Sequence, residues 1–155
     1  MHFIILIIAL LAILFLLSRN REGKPTRIFE FNGKEYPVCD KRFDLIQRAQ
    51  QGDEKAQYEI ITEYYETYRS KQFIPELCFL YTEKLAEKDL GALTELGNLY
   101  FEGVGTPRDT AKAAEIFRKA LELYDNPTPG LYIPERSKEY RKLLQDTIEQ
   151  YEAER

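Results

Sequence analysis

The chain has 155 residues, with 22 Lys and Arg against 26 Asp and Glu and a net charge of -4, which argues against the clustered basic surface that a phosphate backbone requires. One histidine, no tryptophan and two cysteines leave little material for a histidine-based active site or a multi-cysteine metal centre. At this length one folded domain is expected.

Phe3 to Leu17 reads FIILIIALLAILFLL, without a charge, glycine or proline. As a helix, residues 1–18 would span about 27 Å, near the roughly 30 Å of a bilayer's hydrocarbon core. Only the amino terminus and His2 precede the run and no small-residue cleavage site follows it, so an uncleaved anchor is expected over a cleaved signal peptide. Arg19, Arg21, Lys24 and Arg27 follow closely, and the positive-inside rule then places the rest of the chain inside. The expected placement is a single-pass protein of a bacterial-type inner (plasma) membrane with a cytoplasmic C-terminal domain; a secreted or periplasmic protein is the alternative.

Residues 19–26, with Gly23 and Pro25, read as a tether. Residues 27–38 alternate apolar and polar side chains about Asn32-Gly33, the signature of a β-hairpin closed by a type I′ turn. Its expected role is to cover the open end of the domain behind it. From Asp40 the period becomes helical, with Phe43, Ile46 and Ala49 on one face, Asp40 as expected N-cap and Gly52 as terminator. Cys39 and Cys78 form no CxxC pair and are expected as free thiols.

A shift of 36 residues superposes Asp53 on Asp89, Ala56 on Ala92, Ile60 on Leu96 and Tyr64 on Tyr100, which defines units of about 54–89 and 90–125 within a repeat region of 40–125. The second unit reads as a helical hairpin. Ala92, Leu96, Gly97 and Tyr100 share a face on its first helix, and Gly97 allows close approach of the second. Gly103 and Gly105 suit the turn. Asp109 caps a helix that returns through Ala113, Ile116, Phe117 and Ala120. In the first unit Ile61 stands where the second has Gly97, the glycine-bearing turn is missing, and Pro75 opens the second helix. The prolines of residues 126–134 force a loop, which Leu131, Tyr132 and Ile133 are expected to fold back onto the domain. A last helix, about 135–154, carries Tyr140, Leu143, Leu144, Thr147, Ile148 and Tyr151 on one stripe and caps the stack; residues 126–155 thus form a loop and C-terminal capping helix.

Ala92, Leu96, Gly97, Tyr100, Gly103, Gly105, Asp109, Lys112, Ala113, Phe117 and Ala120, with Pro107, resemble a Sel1-like repeat, the solenoid relative of the tetratricopeptide repeat. The resemblance implies an all-α fold: a short α-solenoid of helical hairpins, here with the small N-terminal β-hairpin and one transmembrane helix. It also implies action through a concave face of successive first helices. By analogy with tetratricopeptide repeats, that face holds Lys55, Tyr58, Thr62, Tyr65 and Glu66 in the first unit and Thr94, Asn98, Phe101 and Glu102 in the second. Packing of the C-terminal helix on this strip is the alternative to binding.

Gly103-Val104-Gly105 follows a helix rather than a strand and lacks a third glycine, so it is a turn and not a dinucleotide fingerprint. The carboxylates Glu63, Glu66, Glu95 and Glu102 read as a solvated helix face, and no histidine in the soluble part can activate a serine or cysteine. Neither catalysis nor a cofactor nor a metal is expected. The expected function is that of a membrane-tethered adaptor, held through residues 1–18, that binds a protein or peptide and no nucleic acid; a self-associating membrane scaffold is the alternative.

Overall fold

A computed structural model describes residues 23–67, 72–133 and 137–154. Two strands, β1 (Arg27–Phe31) and β2 (Lys34–Val38), precede six helices: α1 (Asp40–Gln50), α2 (Glu54–Thr67), α3 (Pro75–Leu85), α4 (Leu90–Glu102), α5 (Thr110–Asp125) and α6 (Lys138–Ala153). The strands pair antiparallel with Arg27 opposite Val38 and Phe31 opposite Lys34. Asn32 and Gly33 both take positive φ, as a type I′ turn requires. This register turns Phe29 and Val38 into the core and leaves Ile28 outside.

Among the described residues no helix is long and apolar enough to cross a membrane. The longest have 16 residues, about 24 Å of rise, and each is amphipathic. This overturns the expectation of a transmembrane helix in the fold, and the single-pass inner-membrane placement that depended on it does not stand. The anchor expected over 1–18 lies outside the described residues.

Helices α2 and α3 form one antiparallel hairpin, α4 and α5 the next. One apolar cluster joins the β-hairpin to α1, α2 and α3 through Phe29, Val38, Ile46, Ile60 and Leu77. A second joins α4, α5 and α6 through Leu93, Leu96, Phe117 and Leu144. Tyr64, Phe73, Cys78, Leu99 and Val104 form a smaller cluster between them, so the two units share a continuous interior. Cys78 is a free thiol within it, and burial pushes its pKa up to about 12.

Glycine sets the geometry of the second unit. A Cβ on Gly97 would stand 2.5 Å from Cε2 and 2.6 Å from Cδ2 of Phe117, so the α4 backbone serves as the wall against which the ring packs. Gly103 ends α4 in the left-handed conformation, its N–H returning to Leu99 O at 2.9 Å. Asp109 then caps α5 through Lys112 N at 2.8 Å.

Other local expectations shift. Asp40 is the first residue of α1 rather than its cap; Cys39 occupies the cap position without a side-chain bond, and Asp40 instead pairs with Arg27 Nε at 2.6 Å. The loop after α5 folds back through its backbone: Tyr132 N donates to Lys88 O and Leu90 N donates to Tyr132 O, while the Tyr132 ring stays exposed. Helix α6 starts at Lys138, capped by Ser137 Oγ accepting from Tyr140 N. Leu144 and Tyr151 are buried, whereas Leu143 is exposed. The stripe is therefore narrower than the spacing alone suggests.

Candidate functional site

The first helices of the two units, α2 and α4, lie alongside each other and are joined by hydroxyl-to-carboxylate bonds. The Tyr58 hydroxyl donates to Asp89 Oδ2 at 2.6 Å. Tyr65 donates to Glu95 Oε2, and Tyr64 to Glu102 Oε2. All three donors lie on α2; two acceptors lie on α4, and the third, Asp89, is its N-cap. Asp89 also caps α4, its Oδ1 accepting from Gly91 N at 2.7 Å and Ala92 N at 3.1 Å. One buried side chain thus fixes the helix start and the stacking of the units.

The residues expected on the concave face divide into three settings. Lys55 and Thr62 are exposed on α2; the Thr62 hydroxyl turns back to Glu59 O. Glu66 falls in the last turn of α2. Tyr58 and Tyr65 bridge to the second unit, and the Tyr65 ring is 69% exposed. Thr94 donates to its own helix at Gly91 O. Asn98 and Phe101 meet α6: Tyr151 stacks on Phe101 with ring centroids 3.9 Å apart, and its hydroxyl donates to Asn98 Oδ1 at 2.9 Å. The Arg108 guanidinium lies over the Phe101 ring, 5.0 Å from its centroid, and pairs with Glu154 of α6. Helix α6 therefore occupies the second-unit half of the strip, and the Tyr65 edge remains in solvent.

Glu95 differs from a solvated helix-face carboxylate: it is 6% exposed. Its Oε2 accepts from Tyr65 and from Asn98 Nδ2 at 3.3 Å. Its Oε1 is buried without a hydrogen-bond partner, a deficit that costs about 1–3 kcal/mol or more for a charged group. Burial raises its pKa, opposed by the bonds from Tyr65 and Asn98 and reinforced by Glu102. Burial, the Glu95 bond and its charge likewise raise the Tyr65 phenol.

Two other features escaped the sequence pattern. Arg42 is buried on α1 and pairs with Glu63 at 2.7 Å, although its place among polar neighbours reads as surface. At the end of the β-hairpin an open cleft of about 470 Å³ lies between Lys34, Pro75–Glu76 and Gly103–Pro107. Lys34 Nζ donates to Glu76 Oε1 there at 2.6 Å, and Tyr36, half-buried with its hydroxyl beside Glu76, has its pKa pushed up to about 12. Among the described residues no group of three or more His, Cys, Asp or Glu could hold a metal ion. Compared with known proteins, the chain matches no family model, no curated protein and no solved structure.

Proposed function

We propose that the chain is a Sel1-like repeat adaptor that binds a protein or peptide along the face of α2 and α4. The observation that carries this reading is the Tyr65 edge: a large aromatic ring, 69% exposed, on the inner face of a two-unit helical stack and beside carboxylates that no described cation neutralises. Aromatic groups with a polar surround are enriched where proteins meet. The self-associating scaffold has less support, since among the described residues the other exposed large apolar side chains, Ile28, Tyr132 and Leu143, lie singly on a strand, a loop and a helix.

The reading is tested by selecting peptides from a displayed random library against the full chain and measuring their affinity for variants. Tyr65→Ala is expected to weaken selected peptides at least about tenfold, a loss of about 1.4 kcal/mol. Leu143→Ala, on the outer side of α6, is expected to leave them unchanged. Peptides indifferent to Tyr65→Ala would place binding elsewhere and overturn the reading.

A further inference from the structure

The 36-residue shift that aligns the two units places Asp53 on Asp89 and Glu59 on Glu95. The two pairs of carboxylates meet different partners. In the first unit one arginine of the preceding helix serves both: Arg48 Nη1 stands 3.4 Å from Asp53 Oδ2, and Nη2 3.7 Å from Glu59 Oε2. In the second unit the preceding layer offers Tyr58 to Asp89 and Tyr65 to Glu95. A hydroxyl satisfies one lone pair and cancels no charge. Among the described residues no ion pair reaches Asp89, Glu95 or Glu102.

Resting on the reading of this face as a peptide-binding surface, we propose that Tyr65, Glu95 and Glu102 form a recognition site for an arginine side chain of the bound peptide. Glu95 is built for a fork-shaped donor: Oε2 is held by Tyr65, and Oε1, buried beside it, has no hydrogen-bond partner. A guanidinium that displaces the Tyr65 hydroxyl satisfies both oxygens at once, the bidentate geometry that lysine cannot supply. The freed Tyr65 ring, already mostly in solvent and with Tyr64 edge-to-face beside it at 5.1 Å, offers its face to the planar cation. Glu102, seven residues along α4 on the same side of the helix, adds a second negative charge. At the equivalent Glu59 an arginine, Arg48, already stands at ion-pair distance through one nitrogen, 3.7 Å away.

The experiment compares three synthetic nonapeptide libraries, randomised alike but with arginine, lysine or citrulline fixed at the centre, by fluorescence anisotropy on the full chain. Citrulline keeps the shape and removes the charge. The arginine library is expected to bind about tenfold or more tighter than the citrulline one, in keeping with charge-assisted hydrogen bonds. That ratio should collapse to within about twofold in Glu95→Gln and remain in Glu122→Gln on the outside of α5. Glu102→Gln, a change at an exposed position, supplies a second variant and should narrow the ratio. Equal binding of arginine and citrulline, equal binding of arginine and lysine, or a preference that survives Glu95→Gln would overturn the arginine site while the adaptor reading stands. Failure of all three libraries to bind would overturn both.

Discussion

The ring of Tyr151 lies flat on that of Phe101, with 6° between their planes, and stands edge-on to Phe117 at 5.4 Å. One residue near the end of α6 thus touches both helices of the second unit. Tyr151→Ala is expected to cost about 3–5 kcal/mol, the range for removing a large buried aromatic. Tyr151→Phe keeps both ring contacts and loses only the bond to Asn98 Oδ1, about 0.5–1.5 kcal/mol. Urea unfolding monitored by circular dichroism separates the two.

Gly97 faces the Phe117 ring with no room for a methyl group. Gly97→Ala ordinarily stabilises a helix; here it is expected to destabilise the fold by about 1–3 kcal/mol through overpacking. Combining it with Phe117→Leu should recover part of that loss, and a double-mutant cycle from thermal melts measures the coupling. Additive effects would show that the two positions do not share one space.

Asp89 is expected to matter more than an ordinary cap. Asp89→Ala removes the acceptor for two α4 amides and for the Tyr58 hydroxyl, so its cost should exceed the roughly 0.5–2 kcal/mol of a lost N-cap. Asp89→Asn keeps a capping oxygen and should fall between Asp89→Ala and the parent. Amide exchange at the start of α4 reports the cap directly.

Burial raises the Glu95 carboxyl above its ordinary value of 4.5, so the folded chain retains this proton to higher pH than the unfolded chain does. The stability that the protonated group contributes is full below pH 4.5 and is lost as pH rises through the raised value. Glu95→Gln removes that slope. The difference in unfolding free energy between variant and parent should therefore grow in favour of the variant as pH rises across this window, and a flat difference would contradict the burial assigned to Glu95.

Much of the architecture is legible in local chemistry. Asn32-Gly33 specifies a turn by backbone conformation alone, Gly97 and Gly103 each occupy a place that favours glycine, and Asp109 belongs to the small set of residues that cap a helix. Such signals need no knowledge of what lies opposite. The tyrosine bridges depend on it: whether Tyr65 points at solvent or at Glu95 is decided by a helix thirty residues away. The burial of Arg42 and Glu95 is equally non-local, because a charged residue on a helix carries the same pattern whether its neighbours are water or another helix. Leu143 shows the converse. It has the spacing of a core residue, but among the described residues α6 packs on α5 and, through Tyr151, on α4, and two neighbours cover a narrower arc than a full bundle would.

The bridges between α2 and α4 also give the stack a grammar. Acceptors occur in both units, since Asp53, Glu59 and Glu66 stand at the positions of Asp89, Glu95 and Glu102. Donors are less evenly shared: Tyr58, Tyr64 and Tyr65 correspond to Thr94, Tyr100 and Phe101. A duplicated first unit would offer its successor the same three hydroxyls and present the carboxylates to receive them. A duplicated second unit would offer a phenyl ring where Glu95 needs a hydroxyl. Lengthening this protein is thus a question of which module is copied, and the order of Tyr65 and Phe101 along the chain dictates that growth proceeds from the first.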